Sequence, residues 1–193
     1  MEKEKRRYGG ASFVDRQADR RERLVRAAVD VFGRVGREGA TVAAICAEAG
    51  LTARYFYESF PNREAVFLEA YRTAQRELLA QIEQARAAAS DPVRGALTGF
   101  YEGLAAHPGP ARVFLNDPHG REPEMQAAGV EAAKALVQMF APGTRDVLMA
   151  AGVLGAVIDI ARRWIDDGFA EPVERVVEVA LPFVRACFEA PPA

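Results

Sequence analysis

Two groups of residues in this 193-residue sequence have types and spacings that point to chemistry. The first is Asn116, Asp117 and His119, with His107 shortly before them. An Asp-x-His stretch can hold a metal ion, but the rest of such a centre is missing. The chain has two histidines, neither cysteine lies nearby, and no phosphate-cradling glycine loop or nucleophile elbow is present. The cluster fails the pattern of a catalytic site, so the chain is read as a non-enzyme without a cofactor. The second group is Arg54, Tyr55, Tyr57 and Glu58, followed by Arg63. These side chains donate and accept hydrogen bonds, and chemistry of that kind suits the base edges and phosphates of DNA.

The elements that must position the second group are local ones. In TVAAICAEAGLTARYFYESF (Thr41 to Phe60), Val42, Ile45, Cys46 and Ala49 recur at helical spacing, so one face of a short helix is apolar, and Thr41 stands where an N-cap belongs. Gly50 ends that helix in a left-handed turn, Leu51 turns inward, and Thr52 is placed to cap a second helix. Phe56 and Phe60 face inward, which turns Ala53, Arg54, Tyr57 and Glu58 outward, with Tyr55 and Ser59 on the flank. This is a helix-turn-helix whose outward set can enter a major groove. Helix pairs joined by a glycine turn also occur in all-helical proteins that never touch DNA.

Further along, Pro61 ends the second helix, Asn62 caps a third, and Arg63 sits in its first turn, where a helix N-terminus and a guanidinium together suit a phosphate. With that addition, GLTARYFYESFPNREAV resembles the DNA-binding head of the tetracycline-repressor (TetR/AcrR) family of bacterial transcription regulators. The resemblance runs from about Asp19 to Tyr71 and rests on the glycine turn, the hydroxyl cap, the tyrosine, and then Phe-Pro, a capping residue, a base and Glu. It implies that Tyr57 and Arg63 contact phosphates, with Thr41 and Thr52 contributing at helix starts, and that Ala53, Arg54 and Tyr55 read sequence. Arg54 departs from many relatives, which carry a small residue there; an arginine can bind guanine through two hydrogen bonds. Glu58 is also unusual beside phosphates, and either accepts from a cytosine amino group or pairs with Arg54 one turn earlier.

Composition is compatible with this. Half of the residues are hydrophobic, enough for a substantial core. No apolar run reaches the length of a membrane span and the charged start lacks a signal-peptide core, so a cytoplasmic protein without membrane contact is expected. Cys46 and Cys187 read as small apolar residues, with a redox switch at Cys187 as the alternative. The net charge of −2 divides unevenly: residues 1–72 carry 14 Lys+Arg against 11 Asp+Glu, and residues 73–193 carry 11 against 16. A basic head on an acidic body is the polarity a DNA binder requires.

The whole chain reads as all-α, with about nine helices. Residues 1–15 form a flexible arm, either a solvated tail or a segment whose Lys5, Arg6 and Arg7 follow the DNA backbone. Residues 16–72 form a three-helix DNA-binding head, opened by a helix from about Arg16 to Val35 with Leu24, Ala28, Val31, Phe32 and Val35 inward and arginines on the opposite face. Residues 73–193 form the body. A long helix from Arg63 links the two, and Asp91-Pro92 starts the next one. A helix up to Phe140 carries Met125, Val130, Ala133, Leu136, Val137 and Phe140 inward. A helix from about Thr144 to Asp167 is apolar over more than one stripe, and the last, with Val173 to Phe188, is expected to kink at Pro182.

In the resembling family the last two helices of each subunit form a four-helix homodimer interface, and the surplus apolar surface here fits that or additional core. Two heads on a twofold dimer would meet half-sites of a palindromic operator about 34–36 Å or somewhat more apart. The resemblance further implies a repressor released by a small, apolar effector in the body. Phe100, Tyr101, Leu104, Phe114, Met125, Met139 and Trp164 are the candidate lining, with His107, Asn116, Asp159 and Arg163 as polar contacts; aromatic residues at such spacing are also ordinary core. A helical ligand- or partner-binding protein of the same fold without DNA binding is the alternative.

Overall fold

A computed structural model describes residues 13–116 and 122–189, all of whose regular structure is helical. The proposed arm up to Lys5, Arg6 and Arg7 and the Asp117 and His119 cluster lie outside the described residues, as does the side chain of Asn116. The helices are α1 (Phe13–Gly39), α2 (Val42–Ala49), α3 (Ala53–Ser59), α4 (Arg63–Ala88), α5 (Pro92–Ala106), α6 (Pro108–Asn116), α7 (Pro123–Phe140), α8 (Val147–Asp166) and α9 (Val173–Glu189).

Their limits follow from local chemistry. Thr41 accepts a hydrogen bond from Ala44 N at 3.1 Å, Asn62 from Ala65 N at 2.8 Å, Asp91 from Val93 N and Arg94 N, and Asp146 from Leu148 N and Met149 N. Each satisfies donors that a helix start leaves open. Gly50 closes α2 at φ 62°, and its N–H and that of Leu51 return to Ala47 O and Cys46 O. Helix α1 starts three residues before the expected Arg16 and breaks, as expected, at Gly36 (φ 74°), beyond which one more turn reaches Gly39. Helix α8 starts at Val147 and not Thr144, because Asp146 supplies the cap.

One continuous core runs from Leu24 to Val184. Helix α4 crosses it lengthwise and buries Val66, Phe67, Ala70, Tyr71, Ala74, Leu78 and Ile82. Helix α5 lies against α4 along Gly95, Gly99 and Gly103, where an added Cβ would come within 2.5–2.8 Å of Ala89, Ala85 and Leu78. Small residues at this spacing let two helix backbones approach closely. Helices α1 and α6 cross in the same way at Gly33 and Gly109.

Two inward assignments need correction. Val35 is 49% exposed, since it precedes the break at Gly36 and no longer follows the stripe. Val130 is 52% exposed, because α7 buries Met125, Ala128, Ala132, Leu136 and Phe140 and uses its alanines for close packing. Phe188 is half exposed near the end of α9. Helix α9 continues through Pro182.

Candidate nucleic-acid interface

Helix α3 is held from behind by the core and from one side by α1. Phe56 and Phe60 are buried, with ring centroids 5.9 Å apart. Arg21 of α1 stacks on the Phe60 ring at 4.2 Å, donates to Ser59 O at 2.8 Å, and reaches Glu69 of α4 at 2.8 Å. Arg23 donates to Ala49 O, the last carbonyl of α2, and Arg34 pairs with Glu48. Arg20 lies over the Tyr55 ring at 4.5 Å. The arginine face of α1 reads from sequence as a solvated surface; in the fold it clamps both arms of the helix-turn-helix. No local pattern announces this, because each acceptor carbonyl is brought there by the tertiary turn.

The outward face of α3 then presents Ala53, Arg54, Tyr57 and Glu58, with Tyr55 half-buried beside it. Tyr57 is exposed and rests its ring edge on Phe56 at 5.3 Å. Arg54 Nε donates to Glu58 Oε1 at 2.9 Å, so the intrahelical pair is formed within the chain. Thr41 is a working cap. Thr52 occupies the N-cap position of α3, but its side chain makes no capping hydrogen bond, so the cap expected there is absent. Its exposed hydroxyl borders the α3 face.

Arg63 is also engaged inside the head. Its Nη1 donates to Arg37 O and Ala40 O, both at 3.0 Å, and the other nitrogens lie 3.3 Å from Glu64. The guanidinium closes the turn between α1 and α2, and thus fixes Thr41 from behind. Its side chain is long enough to fold back on those carbonyls and is still 33% exposed at the start of α4.

The expected effector lining is largely core. Phe100, Tyr101 and Leu104 are fully buried. The Tyr101 hydroxyl donates to Val157 O at 3.1 Å, and burial pushes its phenol well above its ordinary pKa, which keeps it a donor. Trp164 donates to Glu171 O at 2.8 Å and packs its ring on Phe169, fastening the α8–α9 turn. Met125 is buried where α7 meets the first helices, and Met139 is half-buried against the core. Asp159 and Arg163 pair with each other at 2.9 Å on the exposed side of α8.

Phe114 lines two cavities. One, of about 230 Å³, is apolar and bounded by Tyr71, Phe114, Val130, Ala133, Leu136 and Ile158, with Arg162 at its edge donating to Leu115 O. The other, of about 310 Å³, lies among α4, α5 and α6 with Glu77, Gln81 and the exposed His107 on its rim. Of the expected lining, Leu104 and Phe114 reach these cavities, with His107 on a rim, while Met125 and Trp164 line two further ones, of about 480 and 560 Å³. Sequence reasoning does not single out Arg162; its signal is an arginine about four turns into the largely apolar α8.

Helix α7 also touches the first helices directly. Arg37 donates to Glu122 Oε1 at 2.8 Å and lies over the Phe67 ring at 4.7 Å. The hydrogen bond from Arg37 holds the Glu122 carboxyl below its usual range, so this tie is present near neutral pH and is lost as pH falls through the lowered value.

The surface of α8 and α9 away from the core is apolar. Val147, Leu148, Val179 and Phe183 are exposed, and an added Cβ at Gly152 or Gly155 meets nothing within 4 Å. Among the described residues no helix is long and apolar enough to cross a membrane.

Residues 24–70 match the family described as bacterial regulatory proteins, tetR family. The HTH-type transcriptional regulator BetI of Stenotrophomonas maltophilia is 33% identical over 84 residues, which are 44% of this chain and 43% of that one. The match therefore spans less than half of that relative's length. Among solved structures, the fatty acid degradation regulator FadR from Bacillus halodurans superposes with a TM-score of 0.71 at 18% identity, over 86% of this chain and 94% of its own. The transcriptional regulator FadR from Bacillus subtilis, in complex with stearoyl-CoA, gives 0.70 at 15% identity, over 84% and 96%. At these identities the structures bear on the fold.

Proposed function

Since the chain belongs to the tetR family of bacterial regulatory proteins, we propose that it is a homodimeric repressor that binds a palindromic DNA operator through α3 and is released by a small apolar effector. The observation that carries this reading is the exposed face of α3, with Arg54 and Tyr57 standing out from a helix-turn-helix whose second helix Arg21 holds and whose first Arg23 and Arg34 hold. In this reading residues 16–72 are the DNA-binding head and residues 73–193 the sensing body. Tyr57, Thr41 and Thr52 contact phosphates, while Ala53, Arg54 and Tyr55 face base edges. Arg63 joins Tyr57 at the phosphates while its Nη1 holds the carbonyls of Arg37 and Ala40.

The test is binding of purified protein to the DNA upstream of its own gene across a salt series, beside scrambled DNA. Tight binding that exceeds the control and falls linearly in log affinity with log salt supports a specific, phosphate-anchored reader. Equal, weak binding to both DNAs, followed by failure to enrich any motif from random sequence, removes the reading and leaves a partner-binding protein of this fold.

The dimer is proposed to form through α8 and α9, whose exposed Leu148, Val179 and Phe183 flank the open Gly152 and Gly155 stripe. Phe183→Asp is expected to convert the dimer to monomer in light scattering, with little change in helix content. Operator affinity should fall with it, because one head then binds one half-site. A Phe183→Asp protein that stays dimeric places the interface elsewhere.

The effector is proposed to occupy the cavity of about 230 Å³ beside α7, with any polar group at Arg162. That volume lies below the usual 300–1,000 Å³ range of ligand pockets, so the ligand is small or opens the site further. The stearoyl-CoA of the Bacillus subtilis relative far exceeds it. A ligand at about 100 times its dissociation constant stabilises the chain by about 2.7 kcal/mol, a rise in melting temperature that screening of short apolar compounds would detect.

A further inference from the structure

We propose that Glu58 is a positioning residue: by holding Arg54 Nε it aims the arginine's two terminal nitrogens at a guanine, so the pair selects one base step that Arg54 alone would not. The proposal rests on the reading of α3 as the DNA-contacting helix. Arg54 is the second residue of α3 and Glu58 the sixth, one turn apart on its outward face. The Arg54 side chain is 83% exposed, and Glu58, at 39%, lies closer to the helix surface. The carboxylate is therefore the anchored member of the pair and the guanidinium the projecting one.

Helix stability does not account for the pair. An arginine in the first turn and a glutamate in the last oppose the helix dipole, and acid after base is the weaker order for a one-turn pair. A glutamate on this face would also repel phosphates unless a cation covers it. Recognition accounts for both. With Nε donating to Glu58 at 2.9 Å, Nη1 and Nη2 keep outward N–H groups in the fork that matches guanine O6 and N7. An unrestrained arginine on an exposed helix has many rotamers, and the nearest strong acceptors on DNA are phosphates, which carry no sequence information. The carboxylate removes that freedom and offsets the charge, which lowers attraction to the backbone relative to attraction to the base. On the adjacent flank, Arg20 over the Tyr55 ring fixes the neighbouring side chain in the same way.

The test uses full-length protein and selection from random duplex DNA, followed by affinity measurement on the selected site with each base substituted in turn. The variants are Arg54→Ala, Glu58→Ala and Glu58→Gln, with circular dichroism to establish equal helix content. The wild-type motif is expected to contain one guanine per half-site whose preference Arg54→Ala erases, a preference of about 5- to 150-fold for a two-bond contact. Glu58→Ala should lose most of that preference at the same position, while binding to scrambled DNA stays equal or tightens as a negative charge is removed. Glu58→Gln keeps a carbonyl acceptor for Nε and should restore much of it. A purely structural role for Glu58 predicts equal loss on all sequences. Three results overturn the proposal while leaving the function intact: a specific motif with no guanine that responds to Arg54→Ala, an unchanged preference in Glu58→Ala, or loss of preference at a separate cytosine, which would make Glu58 a reader in its own right. Failure to select any motif removes the underlying reading and this proposal with it.

Discussion

Phe56→Ala is expected to lower the melting temperature of the entire chain by roughly 6–20 °C in a single transition, and to abolish DNA binding at temperatures where wild type binds. Phe56 is fully buried on a helix of seven residues that has little stability of its own. Its ring meets Phe60 and the edge of Tyr57, so truncation leaves a void beneath the face that is to contact DNA. A buried phenylalanine cut to alanine costs about 3–5 kcal/mol, and in a chain of this size each kcal/mol moves the midpoint by about 2–4 °C. The single transition follows from the continuous core: Phe67 and Tyr71 of α4 join the cluster beneath α3 to Phe114 of α6. The chain offers a direct readout, since its one tryptophan, Trp164, sits in α8, far along the sequence from the substitution. Fluorescence of Trp164 and far-ultraviolet circular dichroism should report the same lowered midpoint. An early loss of helix signal with an unmoved Trp164 transition would show that the first three helices unfold on their own.

The parts of this molecule that were legible in sequence are those determined within a few residues. Thr41, Gly50, Asn62 and Asp91 stop or start helices through bonds to backbone atoms two to four positions away, and a sequence window contains both partners. The stripe from Val66 to Ile82 is equally local, since a helix that buries one face needs only its own periodicity. The arginines of α1 are different. Arg21 finds Ser59 O across 38 positions and Arg23 finds Ala49 O across 26, so the chain alone shows a basic face and not its partners. The carbonyl contacts of Arg63 are hidden for the same reason, its two acceptors lying 23 and 26 positions earlier. In α7 the error was one of size. Valines were taken for the inward face, whereas Ala128 and Ala132 are buried because helices that pack closely need small residues at the contact. The effector lining is hard to read for a related reason: large aromatic residues fill a core as readily as they line a cavity, and Phe100 and Tyr101 are fully buried.

Gly33→Ala is expected to destabilise the chain by about 2 kcal/mol or more and to weaken DNA binding beyond what the stability loss explains, whereas Gly109→Ala at the same crossing should be tolerated. The two glycines face each other where α1 passes α6, but their environments differ. A Cβ at Gly33 would lie 2.5 Å from the Gly109 Cα and carbonyl oxygen and 2.7 Å from its carbonyl carbon, all backbone atoms that cannot rotate away. A Cβ at Gly109 meets nothing within 4 Å. Adding one carbon to a closed contact forces the helices apart, and overpacking of this kind costs about 1–3 kcal/mol, with rigid backbone at the upper end. Replacing glycine with alanine within a helix otherwise gains up to about 1 kcal/mol, so Gly109→Ala should be neutral or slightly stabilising. The functional consequence comes from what α1 carries. Its arginines hold α3 through Ser59 and α2 through Ala49, so a tilt of α1 on α6 reorients the reading helix, and Phe114 on α6 borders both cavities. The crossing is therefore one packed route from cavity wall to α3, with the Arg37 and Glu122 tie as another link. Operator affinity measured well below both midpoints separates the two effects. If Gly33→Ala binds DNA as wild type does once folded, α1 does not transmit orientation, and if Gly109→Ala is equally damaging, the crossing is tighter on the α6 side than its geometry indicates.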